Sequence, residues 1–589
     1  MNQNQFQFAG TVAVDFCRAV EGQKDVYLLE ATIPLEHESQ VLPLPGQFYM
    51  IRSAKSRVQF NRPISVFHSE EKKDASGRKV IVQFLILQKG EGTRELCHLV
   101  SGEFMNVMGP VGNAFEKPAC DQKVCIVGGG IGVAPVANFA SSLSPKSYDF
   151  YACFKSGSYG LERVKAENLV VTTDDGSVGL HGMLNVALTA DVIKQKKYSV
   201  IYACGPTPML SYVQSIAKEC GVTAYLSVEH RMLCGVGACL GCTIQTKDGV
   251  LRVCKDGPVF NANILQFEKP AARPLPLTHE PDLSVTIAGV HFKNPVFAAS
   301  GTFGYGESYR GFADVNEWGA ICSKGTTLLA RDGNEGERII EVASGDINSI
   351  GLQNPGLHHV LQNELPVMLT LGPVAIMNLA GSDIDSYAEG ARLLDSTDVA
   401  MIELNISCPN VKAGGHAWGM TCSAATECVS AVRKATTKPL MVKLTPNAPD
   451  LRAVALACIE AGADALSLVN TFSATAIDIE TGKPFFKNVR AGMCGPAIKP
   501  LALRMVYDVV EEINKLPKEK QVPVVGIGGI TTWQDAVEFI MAGASAIQVG
   551  TAVFTNPHVA KDITEGLSAF MKRKGYNSIE DFKGIAHAL

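Results

Sequence analysis

The chain has 589 residues, 46% hydrophobic and only 19% charged, with 55 Gly and 29 Pro; this excludes a disordered polyelectrolyte, a collagen-like chain and a coiled-coil fibre. At roughly 100 to 200 residues per domain it predicts a multidomain globular protein of about three to five packed units. With 53 Lys and Arg against 58 Asp and Glu, the net charge is −5, so no overall basic field recruits nucleic acid or a membrane surface, and small molecules are the expected partners. The start MNQNQFQFAGTVAVDF lacks the basic head and apolar core of a signal peptide, and no run of about 18 apolar residues follows. A soluble, cytoplasmic protein is expected, whose 17 cysteines serve as thiols, ligands or catalysts rather than disulfides.

From residue 5 to about 115, short alternating apolar runs at 10–14, 26–33 and 80–87 read as a small antiparallel β-barrel. Arg62, Pro63, Ile64 and Ser65 end one strand candidate, and Gly90, Glu91, Gly92 and Thr93 follow LILQK. A guanidinium fork and a Gly-Thr turn can bind a pyrophosphate, though an edge strand with a surface arginine explains RPIS equally well. Next, KVCIVGGGIG at 123–132 is an apolar strand running into Gly128, Gly129, Gly130 and Gly132, and further strands are expected at 148–154, 169–173 and 199–204. Strands alternating with helices predict a parallel nucleotide-binding sheet. GGGIGVAP departs from G-x-G-x-x-G because Val133 holds the sixth position; the glycines either let a phosphate approach the helix start or simply make a tight turn.

Cys234, Cys239, Cys242 and Cys254 follow C-x4-C-x2-C with a fourth cysteine twelve positions on, the plant-type [2Fe–2S] spacing. Structural zinc is the alternative, although it more often uses two C-x2-C knuckles. Such a cluster moves one electron at a time, so one-electron-capable redox centres should neighbour it. Residues 266–281, with Pro270, Pro274, Pro276 and Pro281, break all periodicity and read as the main linker.

In that order, RPIS, GEGT, GGGIGVAP, DDGSVGLHG, CGPTPML and the four cysteines resemble the electron-transfer subunit of type 1B dihydroorotate dehydrogenase, a ferredoxin-reductase-like FAD protein, over about residues 5–265. The resemblance implies an FAD-binding β-barrel at 1–117, an NAD-binding α/β domain at 118–226 and a [2Fe–2S] domain at 227–265. FAD would lie on Arg62, Pro63, Ile64, Ser65, Leu85, Ile86, Leu87, Gly92 and Thr93, NAD at Gly128, Gly129, Gly130 and Gly132, and the cluster on the four cysteines.

After residue 282 the texture becomes repeated strand-loop-helix units, with strands at 399–406, 440–444, 465–470, 522–527 and 546–549, which predicts one (β/α)8 barrel over 282–589. AGADALSLVN from Ala461 and AGASAIQVG from Ala542 share a helix-Gly-strand rhythm, with each glycine in the left-handed position that ends a helix. ELNISCPN at 403–410 puts polar residues at a strand's C-terminal end, in the active-site mouth of a barrel; Cys408 is a candidate general base there, or, taken alone, an inert thiol. Lys324, Asn348, Asn378, Lys443, Asn470 and Thr471 also fall at strand ends. Amides suit a planar imide-like ligand and lysines stabilise a reduced flavin, although a lysine there is also the ordinary surface charge. Gly526 to Gly529 and Gly550-Thr551 follow the last two strands, where barrels bind phosphate, so FMN is the expected cofactor.

The set ASGTFGYG, SKGTT, NSIGLQNPG, NISCPN, KLTPN, NT, GIGG and GT resembles the catalytic subunit of type 1B dihydroorotate dehydrogenase over about residues 283–555. It implies that Ser300, Lys324, Gly325, Asn378, Asn405, Lys443, Val469, Gly495, Gly528, Gly529, Gly550 and Thr551 contact FMN. Lys324, Asn348, Ser349, Ile350, Gly351, Leu352, Asn405, Asn470 and Thr471 would contact dihydroorotate, with Cys408 as base and Lys324 as the second catalytic residue. The serine base and N-terminal membrane segment of class 2 relatives are not expected here. The implied activity is oxidation of (S)-dihydroorotate to orotate in pyrimidine biosynthesis, electrons passing from FMN through the cluster and FAD to NAD+. Two subunits normally made separately would share one polypeptide, with dimerisation through the barrel. Alternatives are a dihydropyrimidine dehydrogenase acting on uracil-like rings and a non-catalytic flavin relay. The choice of NAD over NADP is left open by the residues after Phe154.

Overall fold

The computed structural model describes residues 8–35, 40, 42–75, 77–267, 275–407 and 418–588. Two compact units, Met1–Ala271 and Ala272–Leu589, divide the chain.

In the first unit, Phe8–Ala19, Val26–Leu35, Phe48–Ser53, Arg62–Ser65, His68–Asp74, Gly77–Leu87 and Phe104–Val111 form one seven-stranded antiparallel sheet. Alternation sends Leu29, Ala31 and Ile33 from one strand, and Val80, Val82, Phe84 and Ile86 from another, into a single core with Tyr49, Ile51 and Met105. Register shifts at Val14/Phe16 and Phe48/Met50 bend the strands around that core. The end strands Arg62–Ser65 and His68–Asp74 are consecutive along the chain, and between them Val66 N–H donates to the Gln47 carbonyl (3.1 Å) and Phe67 N–H to the Gln83 carbonyl (2.9 Å), so the sheet curls into the half-barrel that answers the small antiparallel barrel expected.

A second sheet carries Val124–Gly129, Tyr148–Phe154, Asn168–Thr173, Val200–Cys204 and Thr223–Ser227 in parallel, each close to its expected bounds where one was read. All six residues of Val124–Gly129 and all five of Val200–Cys204 are buried, as central parallel strands require. After the cysteine segment the chain returns as Val259–Asn261, antiparallel to Thr223–Ser227, and this ties that segment to the sheet edge.

In the second unit, Val296–Ala298, Ala320–Cys322, Val374–Leu379, Met401–Asn405, Leu440–Leu444, Ala465–Leu468, Val524–Ile527 and Ala546–Val549 close into a parallel eight-stranded barrel. Gly462 (φ 106°) and Gly543 (φ 103°) follow the helices Leu451–Glu460 and Trp533–Met541 in positive-φ conformations. A side chain at Gly543 would also stand 2.4 Å from Val510 Cγ1, so packing requires glycine there as much as conformation does. A four-stranded antiparallel sheet adds Ile339–Val342, Gly345–Asn348, Ala491–Cys494 and Phe472–Ala474. Within the expected linker, Leu277 N–H donates to the Lys572 carbonyl (2.8 Å) and Glu280 pairs with Lys572, so its last residues pack on the helix Val559–Lys574. Among the described residues no helix is long and apolar enough to cross a membrane.

Candidate functional site

Barrel strands point their C-terminal residues at a common mouth, and here that mouth is a cavity of about 270 Å³. Ser300, Lys324, Gly325, Asn405, Lys443, Val469, Asn470, Thr471, Gly528, Gly529, Gly550 and Thr551 reach it from the barrel strands and the turns that follow them. The added sheet and its flanks bring Asn348, Ile350, Gly351, Leu352 and Gly495 to the opposite wall. Gly351 (φ 77°) could carry no side chain, because a Cβ would lie 2.5 Å from Asn334 Oδ1. Two residues expected on the wall lie behind it. Asn378 is fully buried against Glu403, and Ser349 is turned inward, its Oγ accepting from Asn334 Nδ2 at 3.0 Å. Cys408 lies outside the described residues.

Polarity in this cavity is set from below. Glu403, with no solvent exposure, accepts from Asn378 Nδ2 (2.5 Å), Ser467 Oγ (3.0 Å) and Gln548 Nε2 (2.6 Å). Lys443 Nζ, equally shielded, stands 3.8 Å from it. Opposite, Cys494 Sγ donates to Asp346 Oδ2 (3.1 Å) and accepts from Asn348 Nδ2 (3.2 Å). Burial first, then the Asp346 carboxylate, push the Cys494 thiol well above its ordinary value, so it stays protonated. Glu403, Ser467, Gln548, Asp346 and Cys494 were missed in the sequence. The available signal was an acidic residue inside MIELN, since an otherwise apolar parallel strand buried on both faces carries a charge only when it is paired.

The lining fits FMN: two shielded or partly shielded lysines, a glycine-rich turn after each of the last two strands, and Thr471 Oγ1, buried without a hydrogen-bond partner among the described residues. A Cβ at Gly550 would meet nothing closer than 3.8 Å, which leaves room beside that turn.

The first unit holds a second cavity of about 210 Å³, lined by Pro63, Ile64, Ser65, Leu85, Leu87, Thr93 and Gly132, and also by Cys204, Glu229 and His230. It touches the C-terminal end of Val200–Cys204, where open α/β sheets bind ligands, and so fits a flavin-nicotinamide pair. The other expected residues are placed differently. Ile86 alternates into the half-barrel core, and the Arg62 side chain packs over Gly92, where a Cβ would lie 2.6 Å from its Nε. Gly128, Gly129 and Gly130 are off the lining; Gly129 closes the strand Val124–Gly129 in extended conformation, packed against Met209 and Pro206. Burial, with Glu229 adding to it, pushes the Cys204 thiol up to about 12.

The four expected ligand cysteines stand as two pairs: Cys239 N–H donates to Cys234 Sγ and Cys254 N–H to Cys242 Sγ, both at 3.4 Å. Burial raises the Cys234 thiol, but N–H groups of Cys239, Val236 and Ala238 outweigh it and bring it down to about 6. Among the described residues no three His, Cys, Asp or Glu converge to hold one metal ion, whereas two pairs suit a two-iron cluster taking two thiolates per iron.

Residues 282–571 match the family model of dihydroorotate dehydrogenase, and residues 229–266 that of the iron-sulfur cluster binding domain of dihydroorotate dehydrogenase B. The dihydroorotate dehydrogenase B (NAD(+)) catalytic subunit of Petrotoga mobilis is 49% identical over 304 residues, 52% of this chain and 99% of that relative. Its counterpart in Caldicellulosiruptor saccharolyticus is 48% identical over 303 residues, 51% of this chain and 98% of that one. The crystal structure of DHODH from Eimeria tenella in complex with ferulenol aligns with a TM-score of 0.45 at 24% identity, covering 54% of this chain and 92% of that chain.

Proposed function

Since the chain belongs to the dihydroorotate dehydrogenase family, we propose that its barrel cavity oxidises (S)-dihydroorotate to orotate for pyrimidine biosynthesis, with NAD+ as the final acceptor. The observation that carries this reading is the convergence of Lys324, Asn348, Asn405, Asn470, Thr471 and Lys443 on one cavity from segments far apart in sequence. Lys324 provides the cation for the substrate carboxylate, and the asparagines supply donors and acceptors for the imide edge of the ring. Cys408, as thiolate, takes the proton from substrate C5. Lys443 offsets negative charge that develops across the cavity. When bound, FMN supplies the hydride acceptor for substrate C6, and a [2Fe–2S] cluster with FAD supplies the onward path of electrons to NAD+. Ser300, Gly528, Gly529, Gly550 and Thr551 would hold FMN, and Cys234, Cys239, Cys242 and Cys254 the cluster. FAD and NAD are assigned to residues 1–117 and 118–226, supported by the shared cavity there. A barrel-mediated dimer in the cytoplasm belongs to the same proposal, and light scattering on the purified chain tests the dimer.

The experiment is anaerobic: dihydroorotate, or separately dihydrouracil, is added to the purified chain, flavin absorbance is followed, and NAD+ is then added. Bleaching and NADH with dihydroorotate alone are expected. Bleaching by dihydrouracil alone would move the protein to uracil-type rings, and bleaching by neither would leave a flavin relay.

A further inference from the structure

Five consecutive hydrogen bonds run through the barrel mouth and all donate in one direction. Thr471 N–H donates to Asn470 Oδ1 (2.8 Å), and Asn470 Nδ2 to Ser407 Oγ (2.9 Å). Ser407 Oγ donates to Asn405 Oδ1 (2.9 Å), Asn405 Nδ2 to Asn378 Oδ1 (3.1 Å), and Asn378 Nδ2 to Glu403 Oε2 (2.5 Å). The direction is dictated by chemistry at both ends. An ionised carboxylate only accepts, while the backbone N–H groups of Thr471 and Ser407, the latter also donating to Asn405 Oδ1 (3.2 Å), only donate. Each amide between them can therefore face one way only, and aligned bonds polarise one another.

We propose that Glu403 is a positioning residue for the barrel chemistry: as the sink of this chain it acts through the buried Asn378 to set which ends of Asn405 and Asn470 face the cavity, and as the counter-charge of Lys443 it moderates the positive field at the flavin. The second role follows from distance and burial. The carboxylate lies 3.8 Å from Lys443 Nζ, both side chains are at most 5% exposed, and little water screens them. Lys443 reaches the cavity lining and Glu403 does not, so the ligand meets a cation whose field is already partly offset. This inference rests on the proposed function for its ligand, orotate, and on FMN as the flavin.

The test uses the full chain loaded with its flavins. Orotate binding is read from perturbation of the flavin spectrum for wild type, Glu403→Gln, Ser407→Ala and the double variant. Ser407→Ala should weaken orotate about tenfold in the wild-type background, the loss of one bond of about 1.4 kcal/mol. In the Glu403→Gln background the same change should cost less than about threefold, because the chain has lost the charged acceptor at one of its two fixed ends and its bonds no longer reinforce one another as strongly. Ser407 and Glu403 share no direct bond among those in the chain, so additive losses would overturn the positioning role. Glu403→Gln should also shift the midpoint potential of the barrel flavin to a more positive value, and an unchanged potential would overturn the counter-charge role. Should Glu403→Gln fail to fold, Asn378→Ser cuts the same chain beside the carboxylate, and its cycle with Ser407→Ala must be non-additive in the same way. Should wild type neither bind orotate nor bleach with dihydroorotate, the proposed function falls, while the potential of Glu403→Gln still decides the charge relation.

Discussion

Cys494→Ala removes the centre of a short chain on the cavity wall. The thiol sits between Asp346 Oδ2 (3.1 Å) and Asn348 Nδ2 (3.2 Å), and burial together with that carboxylate keeps it protonated through neutral pH. Without the sulfur, Asn348 loses one of the contacts that orient its amide toward the ligand. A hydrogen bond of about 0.5 to 1.5 kcal/mol corresponds to roughly a two- to tenfold change in an equilibrium constant. The expected result is a rise of that size in KM for dihydroorotate with a smaller change in kcat, since orientation is lost and no reacting group is removed. Cys494→Ser keeps a donor and an acceptor and should return KM close to wild type. Steady-state kinetics across pH 6 to 9 check both points. An unchanged KM in Cys494→Ala, or the loss of a pH inflection on substitution, would refute the reasoning, the second because it would show that the thiol titrates during turnover.

Cys408→Ala should retain flavin and iron while turnover with dihydroorotate falls about a hundredfold or more, as removal of a general base does; unchanged turnover would take Cys408 out of the reaction. Gly132→Ala would set a Cβ 2.6 Å from the Cys204 carbonyl, so FAD content and NADH formation should fall, while anaerobic bleaching of the barrel flavin by dihydroorotate persists. In the parallel sheet of the first unit, Asp149 accepts from Tyr198 OH (2.6 Å) and Asn168 Nδ2 (2.7 Å) with Lys196 Nζ at 3.4 Å, and Asp149→Asn should destabilise that unit by about 3 kcal/mol, seen as a lower Tm. Burial raises the Asp149 carboxyl, but these partners outweigh it and hold it below the ordinary 3.8. Its contribution is therefore complete above that value and lost as pH falls through the lower folded value, and thermal scans between pH 3 and 6 should show wild type and Asp149→Asn converging at the acid end.

Several elements were readable because their signal is local. The strands Leu440–Leu444 and Ala546–Val549 occupy the same residues as their apolar runs, and the glycines after two barrel helices take the positive φ that the helix-Gly-strand rhythm demanded. Strand alternation decides differently for Ile86, which a motif-based reading grouped with Leu85 and Leu87, although successive side chains leave a strand on opposite faces. The small antiparallel barrel expected near the N-terminus is present as a curled seven-stranded sheet, because its alternating runs each bury one face.

Sequence by itself determined the kind of chemistry: four cysteines at cluster spacing, amides and lysines at strand ends, and glycines where strands turn into helices. Those are short-range patterns, each imposed by the geometry of one turn or one strand end. Only the tertiary structure decided which of them share a cavity, that Asn378 and Ser349 stand behind its wall, and that Glu403 lies beneath it. The carboxylate gains its role from three donors, Asn378, Ser467 and Gln548, and from the ammonium of Lys443, on four other barrel strands, and closure of the barrel brings that set together.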